Sequence, residues 1–212
     1  TSIGGYAFSD CSSLTSVTIP NSVTSIEGDA FYGCSSLTTL NYNAINCNNF
    51  SYINFGDDYY HQFAYCPITT INIGDSVQRI PNNFAYNLDS LTSVTIPNSV
   101  DTIGSSAFYN CSSLDFITCL ADIPPALGNN VFNNTPSNKI LYVNCGLKDD
   151  YISSWGDYFN SNNIQEITFD INTYVNNESG GSVAIERNNC STATLTATAN
   201  ICYQFVSWND GN

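Results

Sequence analysis

A unit of 23 residues recurs along the first two thirds of the chain. The first two units share four apolar positions at that offset: Ile3, Ala7, Cys11 and Leu14, then Ile26, Ala30, Cys34 and Leu37. The unit returns at Ile80 and Ile103, with a looser copy over residues 63–80. A fixed period of about 20 to 50 residues is the signature of a solenoid, in which one unit cannot bury its apolar face alone. The period therefore predicts stacked coils.

Each unit contains one stretch typical of a half-buried strand. Val17 and Ile19 alternate with polar residues, which is the period of a strand with one face packed and the other in water. Pro20 then ends the strand, because proline offers no donor to the ladder. Val23 and Ile26 predict a second short extended segment on the same core. Stacking of the units therefore predicts a parallel sheet.

The units resemble the leucine-rich repeats of BspA-like bacterial surface proteins. The shared marks are Ala7-Phe8, Cys11-Ser-Ser-Leu14, Ile19-Pro20 and Ser22-Val-Thr-Ser-Ile26, and they recur in five copies over roughly residues 1–140. The pattern departs in an irregular insertion at about 43–62 and at Asn87-Leu88, where the cysteine is lost and we infer one added residue. The resemblance implies a β-rich solenoid, a right-handed leucine-rich-repeat coil with a parallel sheet.

The sequence changes character after the repeats. Residues 139–143 predict a last strand, and residues 146–159 predict a short amphipathic helix carrying Tyr151, Ile152, Trp155 and Phe159. A solenoid needs an atypical element over its open end, and this segment resembles the capping element of the same family, ending at residues 164–167. We therefore assign residues 1–167 to a solenoid with a C-terminal cap.

Residues 168–212 form a second region rich in β-branched and turn residues. Alternation over residues 193–197 and at Tyr203 and Phe205 predicts two strands. The region resembles the beginning of the small β modules of internalin B-repeat type. We expect a small, incomplete β module and a natural protein that continues beyond it.

Nine cysteines raise the question of disulfides and metal sites. Four of them share one repeat position, which predicts a ladder of small buried side chains: Cys11, Cys34, Cys66 and Cys111. Spacing alone leaves two bridges open, Cys119 with Cys145 and Cys190 with Cys202. There is no CxxC pair and His61 is the only histidine, so we predict no metal site.

No catalytic constellation is visible. The chain lacks a Gly-x-Ser-x-Gly elbow, and we expect His61 to be solvated or a packing residue. Asp57-Asp58 and Asp149-Asp150 are adjacent pairs whose side chains diverge; the second pair is predicted to stabilise the first turn of the capping helix. Glycine patterns for nucleotides are absent as well. We therefore predict no cofactor and no enzymatic activity.

The composition argues against two classes of partner. The chain has 18 acidic and 4 basic residues, a net charge of −14, which opposes binding to nucleic acid and to anionic lipid. No apolar run approaches the ~20 residues of a membrane span. The surface is instead rich in neutral polar groups, with 30 Asn and 26 Ser in the chain. The resemblance to BspA-like proteins implies an extracellular protein or a glycan as the partner instead, and we expect the chain to be monomeric.

Alignment of the strands places two rows of side chains on the water-facing side of the sheet. The rows are Ser16, Thr39, Thr70, Ser93, Phe116 and Ile140, and Thr18, Asn41, Asn72, Thr95, Thr118 and Tyr142. The last two strands bring together an apolar and aromatic cluster of the kind that anchors binding interfaces. The candidate ligand-binding residues are Thr70, Asn72, Ser93, Thr95, Phe116, Thr118, Ile140 and Tyr142. Alternatively, the cap or the following module covers the cluster.

The resemblance to BspA-like proteins implies a non-enzymatic adhesion module, on the cell surface or secreted, that contacts host or neighbouring-cell macromolecules. Two alternatives stay open. The polar and tyrosine rows suit recognition of a glycan, and the coil also suits a structural spacer within a larger surface protein.

Overall fold

The computed structural model describes residues 1–47, 50, 53–55, 58–168, 179–187, 193–201, 203–204 and 206–207, without the side chains of 53–55, 58–60 and 187. The chain divides into two compact units, residues 1–165 and 166–212. This boundary lies two residues before the one that the sequence predicts.

The elements are short and follow one another at repeat spacing. In chain order they are β1 (Ser2–Ile3), β2 (Ser16–Ile19), β3 (Ser25–Ile26), β4 (Thr39–Tyr42), β5 (Ile53–Phe55), β6 (Asp58–Tyr60), β7 (Thr70–Ile73), β8 (Arg79–Ile80), β9 (Ser93–Ile96), β10 (Thr102–Ile103), β11 (Phe116–Cys119), β12 (Ala126–Leu127), β13 (Ile140–Val143), α1 (Lys148–Trp155), a 3-10 turn (Ser161–Asn163), β14 (Ile164–Glu166), β15 (Gly181–Arg187) and β16 (Ala193–Ala199).

The four-residue strands line one side of the solenoid as two parallel groups. β2, β4 and β7 form the first group; β9, β11 and β13 form the second, with β14 at its edge. Ser16 pairs with Thr39 in the first group and Ser93 pairs with Phe116 in the second. β7 and β9 lie side by side, but no ladder joins them in the described part of the chain. The predicted parallel sheet is thus confirmed, with a break at its centre.

Short two-residue strands line another side of the coil. β1 pairs with β3, and β8, β10 and β12 pair in parallel. The core between the two sides includes rings stacked from coil to coil. Phe31 lies between Phe8 and Phe63, at centroid distances of 5.1 and 5.2 Å, and Phe108 stacks on Phe132 at 5.5 Å. Equivalent residues of successive coils therefore pack face to face.

The predicted insertion at 43–62 is too long. Cys47 and Phe50 lie in the core, and Phe50 forms a parallel bridge to Ile26. They take the places that Val23 and Ile26 hold in the preceding coil. The regular pattern was hidden because this segment has one more residue than its counterpart. The part of this segment that departs from the regular coil is the antiparallel hairpin of β5 and β6.

The prediction of an added residue at Asn87-Leu88 is also wrong. The Leu88 amide donates to the Ala85 oxygen at 3.3 Å, as Cys11 donates to Phe8 at 3.3 Å in the first coil. Leu88 therefore occupies the cysteine position and is buried. The coil departs instead by exchanging its Ala-Phe pair for Phe84-Ala85.

Each coil turns, just before the cysteine position, through a residue with left-handed backbone. These residues are Asp10, Gly33, Tyr65, Asn87, Asn110 and Asn134. Asparagine tolerates this conformation better than most side chains. The fold thus explains part of the high asparagine content.

The capping helix α1 closes the C-terminal end of the solenoid and is shorter than predicted, since Phe159 lies beyond its end. Tyr151, Trp155 and Phe159 are nevertheless buried, and the Trp155 indole donates to the Pro125 oxygen at 3.0 Å. Lys139 is buried beside them; its ammonium donates to the Tyr158 oxygen at 2.9 Å and lies 4.6 Å above the Phe159 ring. The predicted cap is thus a packed continuation of the core.

The first coil exposes residues that later coils bury. Phe8 is 42% exposed, whereas Phe31, at the same position in the next coil, is fully buried. Cys11 is likewise exposed and Cys34 buried. The N-terminal end of the coil therefore presents its core positions to solvent.

In the second unit, β15 and β16 form an antiparallel hairpin that pairs Gly181 with Ala199 and Arg187 with Ala193. The strand at 193–197 is confirmed, but its partner is residues 181–187. Tyr203 lies outside any strand and Phe205 lies outside the described residues. The predicted strand at these two positions is therefore not confirmed.

Candidate functional site

The candidate binding residues lie on the water-facing side of the parallel strands. Thr70, Asn72, Ser93, Thr95 and Phe116 are exposed, and Thr118, Ile140 and Tyr142 are half-buried. Because β7 and β9 belong to separate ladders, these residues form two groups. Thr70 and Asn72 belong to the first sheet, and the other six belong to the second.

The second sheet assembles the aromatic cluster of Phe116, Ile140 and Tyr142. Phe116 pairs with Ile140 and Thr118 pairs with Tyr142 across β11 and β13. The rings of Phe116 and Tyr142 therefore meet on the diagonal, with centroids 6.3 Å apart and planes inclined by 20°. Phe116 is 44% exposed. A stacked aromatic pair with an isoleucine beside it, on a face whose other residues are polar and uncharged, is the kind of arrangement that binding hot spots use.

The first sheet carries a ladder of hydrogen-bonded side chains. The Asn72 amide donates to Asn41 Oδ1 at 2.8 Å, and the Asn41 amide donates to Thr18 Oγ1 at 3.3 Å. These bonds join the three strands across their exposed face. Some of the hydrogen-bonding groups of Thr18, Asn41 and Asn72 are therefore already engaged within the protein.

A shallow cleft, which the sequence did not reveal, lies at the end of β2, β4 and β7. It has a volume of about 380 Å³ and is lined by Thr18, Pro20, Asn21, Asn43, Ile45, Gly74, Asp75, Ser76 and Val77. The regular coils have Ile-Pro-Asn-Ser-Val at this edge, as in residues 19–23 and 96–100. The two coils that follow β4 and β7 lack the proline, and this departure was the available sequence signal.

The cysteine ladder is confirmed except at its first position. Cys34, Cys66 and Cys111 are buried, and their thiols donate to backbone oxygens of the preceding coil at 3.1, 3.0 and 3.0 Å. Burial raises the pKa of Cys66 and of Cys111 to about 12. Cys11 is exposed because no earlier coil covers it in this chain. Three of the four cysteines thus act as packed thiols.

The two open disulfide pairings have different outcomes. Cys119 is a free, buried thiol, whereas Cys145 is disulfide-bonded. Cys119 and Cys145 therefore do not form a bridge. Cys190 and Cys202, the other pair that spacing left open, lie outside the described residues.

His61 is a packing residue, which is one of the two roles that the sequence predicts for it. Its ring is buried and lies edge-on to Tyr86 at 5.7 Å. Burial lowers the pKa of His61 to about 4, so the ring is neutral at pH 7. Asp57 and the side chain of Asp58 lie outside what the structure describes.

Asp149 and Asp150 lie in the first turn of α1, where the sequence predicts them. That their charge stabilises this turn stays a prediction. Across the described residues, no group of three or more His, Cys, Asp or Glu side chains is placed to hold a metal ion. Nor does the described part of the chain contain a helix long and apolar enough to cross a membrane.

Comparison with known families identifies the repeat. The profile of the BspA type leucine rich repeat region matches residues 1–57 and 59–180 in six copies. The chain belongs to this family. The six copies exceed the five that we count in the sequence, and the proposed likeness of residues 168–212 to internalin B-repeat modules is not confirmed.

Two solved structures resemble the BspA-type chain. One is the leucine-rich repeat protein TpLRR of T. pallidum, 25% identical with a TM-score of 0.45 over 67% of this chain and 61% of that one. The other is a leucine-rich repeat protein from Bacteroides ovatus ATCC 8483, 21% identical with a TM-score of 0.45 over 79% of this chain and 45% of that one. The chain thus spans less than two thirds of either protein. No curated protein matches it.

BspA-type repeats are generally involved in protein binding or adhesion and are typically found in bacterial surface or secreted proteins. Proteins of this family are typically non-enzymatic.

Proposed function

We propose that this chain is a non-enzymatic protein-binding module of a bacterial adhesin, displayed on the cell surface or secreted. Phe116, Ile140 and Tyr142 anchor the partner, an extracellular protein of the host or of a neighbouring cell. Thr118 and the exposed Ser93 and Thr95 supply hydrogen bonds around that anchor.

The stacked pair of Phe116 and Tyr142 carries the proposal. An aromatic ring that remains 44% exposed on a folded domain gains free energy when a partner removes it from water, by about 25 cal/mol for each Å² buried. The strand register holds both rings on neighbouring strands, so little conformational entropy is lost on binding. The neutral polar residues of β9 form the rim that such anchors require.

The area of the face limits the affinity. Six strands about 4.8 Å apart, each presenting about 13 Å, give a face of roughly 370 Å², against about 800 Å² per partner in a standard interface. One copy therefore binds weakly. Several copies displayed together would bind more tightly through avidity.

A binding panel tests the proposal. The immobilised chain is exposed to extracellular-matrix proteins beside a glycan array, and any partner is measured again with the double variant Phe116→Ala and Tyr142→Ala. We expect a protein partner whose binding falls at least about tenfold in the double variant, since hot-spot truncation costs about 2 kcal/mol or more.

The matched control is Tyr65→Ala, which removes an aromatic side chain that is 75% exposed at a position outside the sheet. This variant should bind as the unaltered chain does. Equal binding by the folded double variant would contradict the role of the cluster. Failure of every protein and glycan would favour the structural spacer instead.

A further inference from the structure

The carboxyl ends of the two strand groups carry the same set of polar residues, but only one of the two sets is hydrogen-bonded internally. Each set has two asparagines and one aspartate, and one of these residues follows each of three neighbouring strands. Beyond β9, β11 and β13 the set is Asn98, Asp122 and Asn144, here named the closed triad. Beyond β2, β4 and β7 it is Asn21, Asn43 and Asp75, here named the open triad.

The closed triad is joined by its own hydrogen bonds. The Asn98 amide donates to Asp122 Oδ2 at 3.3 Å, and the Asn144 amide donates to Asp122 Oδ1 at 3.4 Å. The Asp122 backbone amide donates to Asn98 Oδ1 at 3.1 Å, and Asn144 also donates to the Leu120 oxygen at 2.8 Å. Both carboxylate oxygens of Asp122 are therefore engaged.

The open triad makes no such bonds. Asn21, Asn43 and Asp75 are all exposed, and within the described residues none of their side chains has a hydrogen-bond partner. All three line the cleft of about 380 Å³, a volume within the ~300–1,000 Å³ range of small-ligand sites. Their donors and acceptors therefore face a space in which a small ligand fits.

Gly74 creates room for this arrangement. A Cβ atom at residue 74 would overlap the Asn43 amide oxygen, so the glycine allows the Asn43 side chain to lie along the cleft. The regular coils hold a proline at these two positions, as at Pro20 and Pro97, and proline has neither an amide side chain nor a free N–H. The loss of two prolines thus opens the edge and adds a polar side chain to it.

The remaining wall of the cleft combines a hydroxyl with apolar surface. Thr18 Oγ1 accepts a hydrogen bond from Asn41, which leaves the Thr18 hydroxyl hydrogen available to a ligand acceptor. Pro20 and Ile45 supply apolar surface, and none of the lining residues carries a positive charge. Such a wall suits a ligand that has both hydroxyl groups and C–H faces.

We propose that the open triad binds a neutral sugar, as a glycan subsite separate from the aromatic cluster. Asp75 accepts hydrogen bonds from ligand hydroxyls, and Asn21 and Asn43 both donate and accept. A phosphorylated or sulfated ligand is disfavoured by Asp75 and by the net charge of −14. A calcium ion is disfavoured because it takes six to eight oxygen ligands, commonly from several carboxylates, and the cleft offers one carboxylate.

The test uses the whole 212-residue chain labelled with ¹⁵N. Glucose, galactose, mannose and N-acetylglucosamine are added singly, and calcium chloride is added in a separate arm. We expect at least one sugar to give saturable shifts of the Asn21 and Asn43 side-chain amide signals, with a dissociation constant on the order of 1 mM. Calcium chloride alone should leave these signals in place.

Four single variants make the test specific. Asp75→Ala and Asn43→Ala each remove a ligand contact, and Gly74→Ala displaces the Asn43 amide; each should weaken sugar binding by about tenfold or more. Asp122→Ala, in the closed triad, is the matched control and should change the affinity less than twofold. Circular dichroism is used to check that each variant is folded.

Three outcomes overturn the proposal. They are the absence of saturable shifts with every sugar, shifts that persist in Asp75→Ala and Asn43→Ala, and shifts produced by calcium chloride alone. The double variant Phe116→Ala and Tyr142→Ala should bind the sugar normally. The glycan subsite and the protein-binding face therefore stand or fall separately.

Discussion

The Tyr151 hydroxyl of the capping helix donates to the backbone oxygen of Ala121, 2.9 Å away in the solenoid. Tyr151 is fully buried, and this burial raises the pKa of its hydroxyl above the ordinary value. Tyr151→Phe leaves the Ala121 oxygen buried without this donor, so we expect the free energy of unfolding to fall by about 1–2 kcal/mol. Urea denaturation measures the change. Ser153→Ala, which removes an exposed hydroxyl bonded to the Asp149 oxygen, is the control; an equal effect in the two variants would contradict the prediction.

The exchanged pair Phe84-Ala85 gives a second prediction. The Phe84 ring lies 4.9 Å from Tyr42 and 5.6 Å from Phe50, and it is buried. We expect Phe84→Ala to cost about 3–5 kcal/mol of unfolding free energy. Adding Ala85→Phe restores the usual order of the repeat, but it places a ring at a packed position and costs about 1–3 kcal/mol more. Thermal and urea denaturation compare the two variants; recovery of stability in the double variant would refute the prediction.

The thiol of Cys11 should react faster than the buried thiols of Cys66 and Cys111. Cys11 is exposed, whereas burial raises the pKa of Cys66 and of Cys111 to about 12. At pH 8 only about one in 10⁴ molecules of such a thiol is ionised, and the thiolate is the reactive form. Iodoacetamide followed by peptide mass spectrometry should modify Cys11 rapidly in the folded chain, and Cys66 and Cys111 only after denaturant is added. Equal labelling of the three in the folded chain would contradict the packed ladder.

His61 should make stability depend on pH. Its pKa is about 4 in the folded chain, because of burial, against an ordinary value of 6.5. Between pH 6.5 and 4 the unfolded chain therefore binds a proton that the folded chain does not bind. Stability falls as the pH falls through this window, by roughly 3 kcal/mol in total. His61→Phe keeps a ring against Tyr86 and removes the titration, so the difference between variant and unaltered chain should grow toward low pH. A constant difference from pH 7 to pH 4 would exclude the effect.

The repeat period was sufficient to predict most of the solenoid. The positions of Ile26, Cys34 and Leu37 follow from a constant offset of 23, because each coil must place the same residues against its neighbours. Cys47 and Phe50 escaped this reasoning because one extra residue precedes them. Periodicity detects only a constant spacing along the sequence, whereas a side chain can occupy an equivalent core position when one more residue precedes it.

The candidate sites could likewise be predicted only in part. Phe116, Ile140 and Tyr142 could be placed together because parallel strands preserve register. The difference between Asn98 and Asn21 could not be predicted, since both follow a proline after the same strand sequence. Only side-chain geometry distinguishes an asparagine bonded to Asp122 from one that faces an open cleft.

The exposure of the first coil has a consequence for the order in which the solenoid opens. A coil of a repeat protein is stabilised by its immediate neighbours, and the coil carrying Phe8 has a neighbour on one side in this chain. The amides of Phe8 and Asp10 bond to Ala30 and Tyr32, and in a later coil the amides of Phe108 and Asn110 make the corresponding bonds to Val131 and Asn133. Hydrogen exchange should therefore be faster at the first pair than at the second, because local unfolding begins where fewest contacts must break. The exchange rates of these two sets of equivalent amides therefore report how unfolding spreads from the exposed coil toward the cap.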